Sequence, residues 1–217
     1  IELLGIIALF IVATPALNRI VEWNEAMNLP EALYNIEQWM RQQENAATKI
    51  TEQILQVNSF SHFLAVIFGI GILTGIGEEM IFRGVLQRIV QDKNHRAHVA
   101  VWICAFLFSA IHLQFYGFIP RLLLGAFFGY LLVWSKNLWL PIFAHLFNNS
   151  TVACISYFTN DKSPDNLIET VGTSGSPTSW LAGASLIGTV ILLYVLYKKV
   201  FVSKSKEFFP MEDKITP

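Results

Sequence analysis

Charged side chains are scarce in this sequence. They make up 14% of its 217 residues, where a soluble domain carries about a quarter. That deficit excludes an ordinary water-exposed surface over most of the chain. Cysteine is nearly absent as well. Cys104 and Cys154 each stand alone in an apolar run with no CxxC pair, so neither a zinc ribbon nor a disulfide framework is indicated. No excess of one charge exists either. The net charge of −1 gives nucleic acid nothing to bind, and no nucleic-acid partner is expected. Internal repeats and low-complexity tracts are missing. The sequence starts at Ile1 rather than at a methionine, so it is expected to continue upstream, with a signal peptide or a further span left open there.

What is abundant is apolar surface: 53% of residues are hydrophobic and the mean hydropathy is +0.47. Crossing a hydrocarbon core of about 30 Å takes roughly 20 apolar helical residues. Six runs approach that length, at about 2–17, 60–87, 97–113, 118–135, 138–158 and 179–201. A soluble core supplies one or two such runs, not six. The sequence therefore predicts an all-α, polytopic membrane helix bundle of about six transmembrane helices, multi-pass, with membrane lipid as its solvent and partner. A single integral membrane domain over 1–217 is expected, with a motif-bearing core at 60–155 and a cytoplasmic tail at 202–217.

Charge placement orients the bundle. Residues 18–58 carry six glutamates against Arg19, Arg41 and Lys49, and residues 159–178 are also acidic. Arg88, Lys93, Arg96, Lys136, Lys198, Lys199, Lys204 and Lys206 gather at the opposite ends of the runs. The positive-inside rule puts those basic sites in the cytoplasm, and six spans then alternate with both ends of the chain cytoplasmic. Residues 31–57 are expected to be helical without spanning. Leu33, Ile36, Met40, Ala47, Ile50, Ile54 and Val57 share a three-four spacing while Glu37, Arg41, Glu44 and Glu52 take other faces, and Pro30 suits a first turn. The reading is an extracytoplasmic amphipathic helix on the membrane surface or on the bundle; its location also allows a lid or lateral gate. Residues 159–178, rich in Ser, Thr, Gly, Asp and Asn, read as an exposed loop.

Against this apolar background three polar constellations stand out. The second run contains Glu78, Glu79 and Arg83. A charge at the centre of a membrane helix costs about 2.5–3.5 kcal/mol or more. Glu79 and Arg83, four apart, share a face and can pair, whereas Glu78 is rotated about 100° away and must face something else. A buried ion pair that only pins helices together explains Glu79 and Arg83 well and Glu78 poorly. The third run closes on Phe108 to His112, and the fifth holds His145 and Asn149, again four apart. A lone intramembrane histidine is usually a satisfied interhelical hydrogen bonder. Polar groups on three helices are expected to converge on the bundle interior.

Converged, they form a workable hydrolytic set. A carboxylate in an apolar pocket acts as general base toward water and then as acid, a histidine holds the water, and imidazole or amide donors stabilise an oxyanion. Two histidines and a carboxylate also form a zinc donor set, although HExxH is missing. Between the motifs, Gly125 and Gly129 form GxxxG, which suits close helix packing. Arg121 near the outer end of the fourth run reads as snorkelling or paired with an acidic group, and Asn148 as sharing the polar pocket or packing.

EExxxR, FxxxH and HxxxN, in this order on separate membrane helices, resemble the three motifs of the CAAX-processing and bacteriocin-processing membrane proteases, the CPBP or Abi family. The resemblance covers about residues 60–155. It implies an intramembrane endopeptidase with a peptide or protein substrate in or near the bilayer, and a bacterial inner membrane as its location. It further implies that Glu78 is the general base acting with His112, that His145 and Asn149 stabilise the oxyanion, and that Glu79 and Arg83 support the motif. Family members have been labelled metalloproteases, while the eukaryotic ones are described as glutamate-dependent and metal-independent. The glutamate reading without a cofactor is adopted here, with zinc on Glu78, His112 and His145 as the alternative. A catalytically silent scaffold or immunity protein, and a proton-coupled transporter, are the readings from other classes; the transporter lacks the repeats and broken helices such proteins show.

Overall fold

The computed structural model describes residues 2–94, 97–159 and 167–198, which leaves the expected tail at 202–217 outside it. Among the described residues, helix is the regular structure throughout. Helix α1 is Glu2–Glu25 and the amphipathic α2 is Tyr34–Leu55, entered through a short 3₁₀ turn at Glu31–Leu33. A long helix, α3, occupies 60–94, and α4 is Ala97–Ala110. A 3₁₀ turn at Phe115–Gly117 leads into α5, Phe118–Ser135, followed by α6, Trp139–Thr159, a one-turn α7, Leu167–Thr170, and α8, Leu181–Val195.

The outside of this bundle is apolar. Leu4, Ile11, Phe68, Ile81, Phe106, Ile187 and Ile191 are all more than half exposed, which only a lipid solvent makes favourable. The chain is an integral membrane helix bundle. Among the described residues, four helices are long and apolar enough to cross a bilayer: Glu2–Glu25, Phe60–Gln91, Phe115–Ser135 and Leu181–Lys198. The two other predicted runs differ for separate reasons. Helix α4 has 14 residues, a length of about 21 Å, because the chain turns at 111–113 to present His112. Helix α6 has 21 residues, but His145, Asn148, Asn149, Ser150 and Thr151 interrupt its apolar run. In both cases the polar constellation that marks the site is what weakens the span.

Small residues set how closely the helices approach. A methyl group on Gly75 would stand 3.3 Å from the backbone nitrogen of Leu146, and one on Gly71 would meet Ser150 Oγ at 2.5 Å. Gly71 and Gly75 thus let α6 lie against α3. Gly125 and Gly129 let α5 lie against α4, where Ala105 and Val101 meet them, with a further consequence. Their carbonyls accept hydrogen bonds from α3, Arg83 Nη2 at 2.8 Å to Gly125 and Gln87 Nε2 at 3.1 Å to Gly129. The GxxxG of the fourth run is therefore both a close seam against α4, where a Cβ on Gly125 would stand 3.3 Å from Ala105 Cα, and an opening through which α3 side chains reach the α5 backbone. A Cβ on Gly129 would lie 2.9 Å from Gln87 Oε1 and 3.0 Å from Val101. Gly129→Val is accordingly expected to lose about 1–3 kcal/mol by overpacking, seen as a lowered unfolding midpoint of detergent-solubilised protein; an unchanged midpoint contradicts this packing.

Helix α2 lies across one end of the bundle and has no buried residue of its own. It is fastened by polar clasps. Glu44 Oε2 accepts the Tyr116 backbone N–H at 3.0 Å, Ser156 Oγ donates to Leu55 O at 2.7 Å, and the Arg41 guanidinium sits 4.5 Å over the Tyr116 ring. Arg41 also donates to Glu37, and the Leu29 N–H donates to the same carboxylate. Those hydrogen bonds hold Glu37 below the usual carboxylate range. The clasps fix the 112–117 connection, and with it His112. The expected exposed loop at 159–178 is in part a packed segment: Asn18 Nδ2 donates to Ile168 O and Val171 O, and Ser174 donates to Glu22.

Candidate functional site

The second predicted run is a helix whose local geometry changes around its glutamates. Gly75–Glu79 is α-helical, but it is bracketed by two π-helical stretches, Ile67–Thr74 and Met80–Leu86. Single π-helical turns inside α-helices gather at functional sites because they turn side chains and free carbonyls. Here the freed carbonyls are used: Thr74 Oγ1 donates to Gly69 O at 3.1 Å and Asn149 Nδ2 donates to Ile70 O at 3.1 Å.

Glu79, Arg83 and Gln87 follow one another at intervals of four and are all fully buried. Arg83 Nη1 donates to Glu79 Oε1 at 2.8 Å, the pairing the spacing predicts. Three aromatic rings enclose the guanidinium, with Phe108, Phe128 and Phe82 centred 4.7, 5.4 and 5.8 Å from it. Phe108, the first residue of FxxxH, thus covers the arginine of EExxxR. Its ring also meets His112 and His145 edge-on, while Phe128 stacks on His145 at 5.0 Å.

His145 Nδ1 lies 2.8 Å from Glu79 Oε1, so one carboxylate oxygen receives both Arg83 and His145. Sequence spacing did not contain this contact. It depends on how α3 and α6 rotate against each other, and that rotation is set by Gly71, Gly75 and the π stretches. The other histidine is held differently. His112 stands in the turn after α4, beside Leu113 with its positive φ of 54°, and its Nδ1 lies 2.7 Å from Phe108 O. A carbonyl or a carboxylate only accepts, so Nδ1 carries hydrogen in both rings.

Both rings then turn Nε2 toward the same group. Glu78 Oε1 is 4.0 Å from His112 Nε2, and Glu78 Oε2 is 3.7 Å from His145 Nε2. These separations exceed a direct hydrogen bond, so the three groups face one another without closing on each other. The Glu78 and His112 side chains keep 25% and 27% of their exposure, so this is also the side from which the site opens. Glu79, 5% or less exposed together with His145, is closed off behind it. The structure brings Glu78, Glu79, Arg83, His112 and His145 into one cluster. Asn149 lies one turn beyond His145; its amide nitrogen binds the α3 backbone and its oxygen receives Asn148 Nδ2 at 3.2 Å. One amide hydrogen of Asn149 is left over by this arrangement.

Two anchored imidazoles and a carboxylate also match the donor chemistry of a catalytic zinc site, whose histidines need an Nδ1 partner. Ligands about 2.0–2.1 Å from a tetrahedral ion lie roughly 3.3 Å apart, so the Glu78 contacts are somewhat wider. Among the described residues no three His, Cys, Asp or Glu groups close into a metal-holding set.

Gln87 and Phe128 were not among the residues the sequence singled out, and Glu44 entered only as part of the polar face of the 31–57 helix. Gln87 carried a signal, being the next member of the series begun by Glu79 and Arg83. Phe128 carried none, and nothing in the sequence pointed Glu44 to Tyr116, since both act through three-dimensional neighbours, on α6 and on the 115–117 turn.

Comparison with known proteins bears on the same segment. Residues 60–151 match the family model described as type II CAAX prenyl endopeptidase Rce1-like. A curated relative, the uncharacterized protein YpbD of Bacillus subtilis (strain 168), is 29% identical over 109 residues, which cover 48% of this chain and 51% of that protein. The match thus spans about half the length of this relative. No solved structure matches the chain.

Proposed function

We propose, on the premise that residues 60–151 belong to the Rce1-like family, that this protein is a membrane endopeptidase that hydrolyses a peptide bond with a water activated by Glu78. The observation that supports this most is the shared aim of two fixed imidazoles at one half-open carboxylate. Water held between Glu78 and the Nε2 atoms gives its proton to Glu78 as its oxygen attacks the scissile carbonyl carbon. The C=O electrons move onto oxygen, where His145 and the remaining amide hydrogen of Asn149 donate hydrogen bonds. Collapse of the tetrahedral species breaks the C–N bond, and the proton on Glu78 passes to the leaving amine.

The pair behind the site holds His145 in place. Arg83 is joined to Glu79 at 2.8 Å, and the same carboxylate oxygen holds His145 Nδ1 at 2.8 Å. Donation from His145 Nε2 to the oxyanion requires hydrogen on both ring nitrogens. Glu79 and Arg83 are thus positioning residues in this reading, while Glu78, His112, His145 and Asn149 touch the reacting atoms.

Zinc on Glu78, His112 and His145 is the second reading, supported by the Nδ1 anchoring of both rings. A resident zinc supplies a Lewis acid and a bound water of lowered pKa. The substrate is a peptide or protein in or at the bilayer, and the membrane is a bacterial inner membrane in this proposal.

The test is to profile new peptide N-termini in membranes carrying wild type, Glu78→Gln or His145→Ala, with metal content measured on the purified protein. The expected result is a set of cleaved termini present only with wild type and unchanged by chelator. Termini lost together with stoichiometric zinc would transfer the mechanism to the metal. Termini identical in all three membranes would remove the protease reading.

A further inference from the structure

Arg121 stands beside the site, and the mechanism does not use it. It sits in the first turn of α5, half-buried, within electrostatic reach of Glu78 and Glu44 and of His112. An arginine between two carboxylates ordinarily closes onto one of them. Here Nη2 donates to Gln114 Oε1 at 2.8 Å and Nη1 donates to Gln114 O at 3.4 Å. Both partners are neutral. Among the described residues no carboxylate stands within 4.0 Å of it; Glu78 approaches the two histidines, and Glu44 accepts the Tyr116 N–H.

Five N–H donors in a planar fork, with two directed at Gln114, leave three without a partner among the described residues. Space for the fork is reserved in the backbone. A Cβ on Gly117 would stand 3.3 Å from Nη2, so the residue at the 3₁₀ turn before α5 has no side chain to press on the guanidinium. Gln114 grips one edge of the fork and thereby fixes its plane. A fixed guanidinium with open donors, beside a hydrolytic centre, matches a carboxylate bidentately.

We infer that Arg121, steadied by Gln114, is a specificity-determining residue of this site and binds a carboxylate of the peptide being cleaved. The inference rests on the protease reading for what is bound, and it names the anionic group that reading left open. The carboxylate is either an acidic side chain near the scissile bond or the peptide's own C-terminus. The two share one chemistry and are separable by experiment. A simpler role, in which Arg121 only offsets the charge of Glu78, predicts a different kinetic signature.

The probe is a random octapeptide library offered to the full chain in liposomes, in four versions: with or without Asp and Glu, and with a free or an amidated C-terminus. Wild type is expected to cleave one carboxylate-bearing class with a kcat/KM on the order of 10- to 100-fold above the fully neutral class, the range of a charged hydrogen bond. Loss of the preference on amidation identifies the C-terminus; loss on removal of Asp and Glu identifies a side chain. Arg121→Gln is expected to bring the ratio to about one, mainly through KM, and Arg121→Lys to restore part of it. A wild-type ratio near one overturns the inference, as does an Arg121→Gln enzyme that keeps the ratio while losing kcat. Binding of the same libraries to Glu78→Gln protein separates the two readings. Arg121-dependent preference in binding without any wild-type cleavage sustains the carboxylate site and removes the protease; neither binding preference nor cleavage removes both. Elution volume and unfolding midpoint of each variant confirm that a folded protein was compared.

Discussion

Glu78→Gln is expected to lower peptide hydrolysis by about 10²- to 10⁴-fold, the range of general base catalysis, while leaving the protein folded. The amide keeps the size of the side chain and cannot take a proton from water. Only a quarter of the carboxylate's exposure remains, yet no buried partner depends on it, since Glu79 alone carries the ion pair with Arg83. The loss should therefore fall on kcat, not on stability. Glu78→Asp makes a sharper test of geometry. It keeps the base but draws it back by one methylene from two rings already 3.7 and 4.0 Å away, and a misplacement of about 1 Å costs on the order of 10²-fold. Turnover of membrane-reconstituted protein on one cleaved peptide checks both. If Glu78→Gln cleaves at the wild-type rate, the base is another group and the proposal fails. A silent scaffold makes the opposite prediction, that the cellular phenotype survives this substitution.

The second large effect is on folding. Glu79 and Arg83 are both fully buried and joined at 2.8 Å. Removing one partner strands a charge, at a cost of about 3–5 kcal/mol. Arg83→Met leaves Glu79 with His145 alone; Glu79→Gln leaves Arg83 with the Gly125 carbonyl and three aromatic rings. Even Arg83→Lys is expected to fail, because an ammonium cannot bridge Glu79 and Gly125 at once as the fork does. The double variant Glu79→Gln, Arg83→Met strands no charge and is expected to be more stable than either single one. Denaturation in mixed micelles measures all four proteins. Three single variants within about 1 kcal/mol of wild type would show that the pair is not held as buried as the structure has it.

How much of this could be read in advance depended on distance along the chain. The Glu79–Arg83 pair was legible because both residues lie on one helix, where spacing fixes the face. The convergence of Glu78, His112 and His145 was legible because polar groups in apolar helices have one direction to go. The shared use of Glu79 by Arg83 and His145 was not, since it turns on a rotation between two helices that glycines and π stretches decide. The residues that reveal the site also set two of the six runs apart from the other four. Asn148 and Asn149 lower the hydropathy of α6, and the turn that frees His112 shortens α4. The GxxxG of α5 showed that something must come close, without showing that it would be Arg83 and Gln87.

The central claim is that Glu78 activates water and is not itself the nucleophile. A single turnover in water enriched in oxygen-18, followed by mass analysis of product and enzyme, addresses it most directly. Attack by activated water places one heavy oxygen in the new C-terminal carboxylate of the product and none in Glu78. Heavy oxygen in the Glu78 carboxylate would reveal an acyl-enzyme and contradict the account.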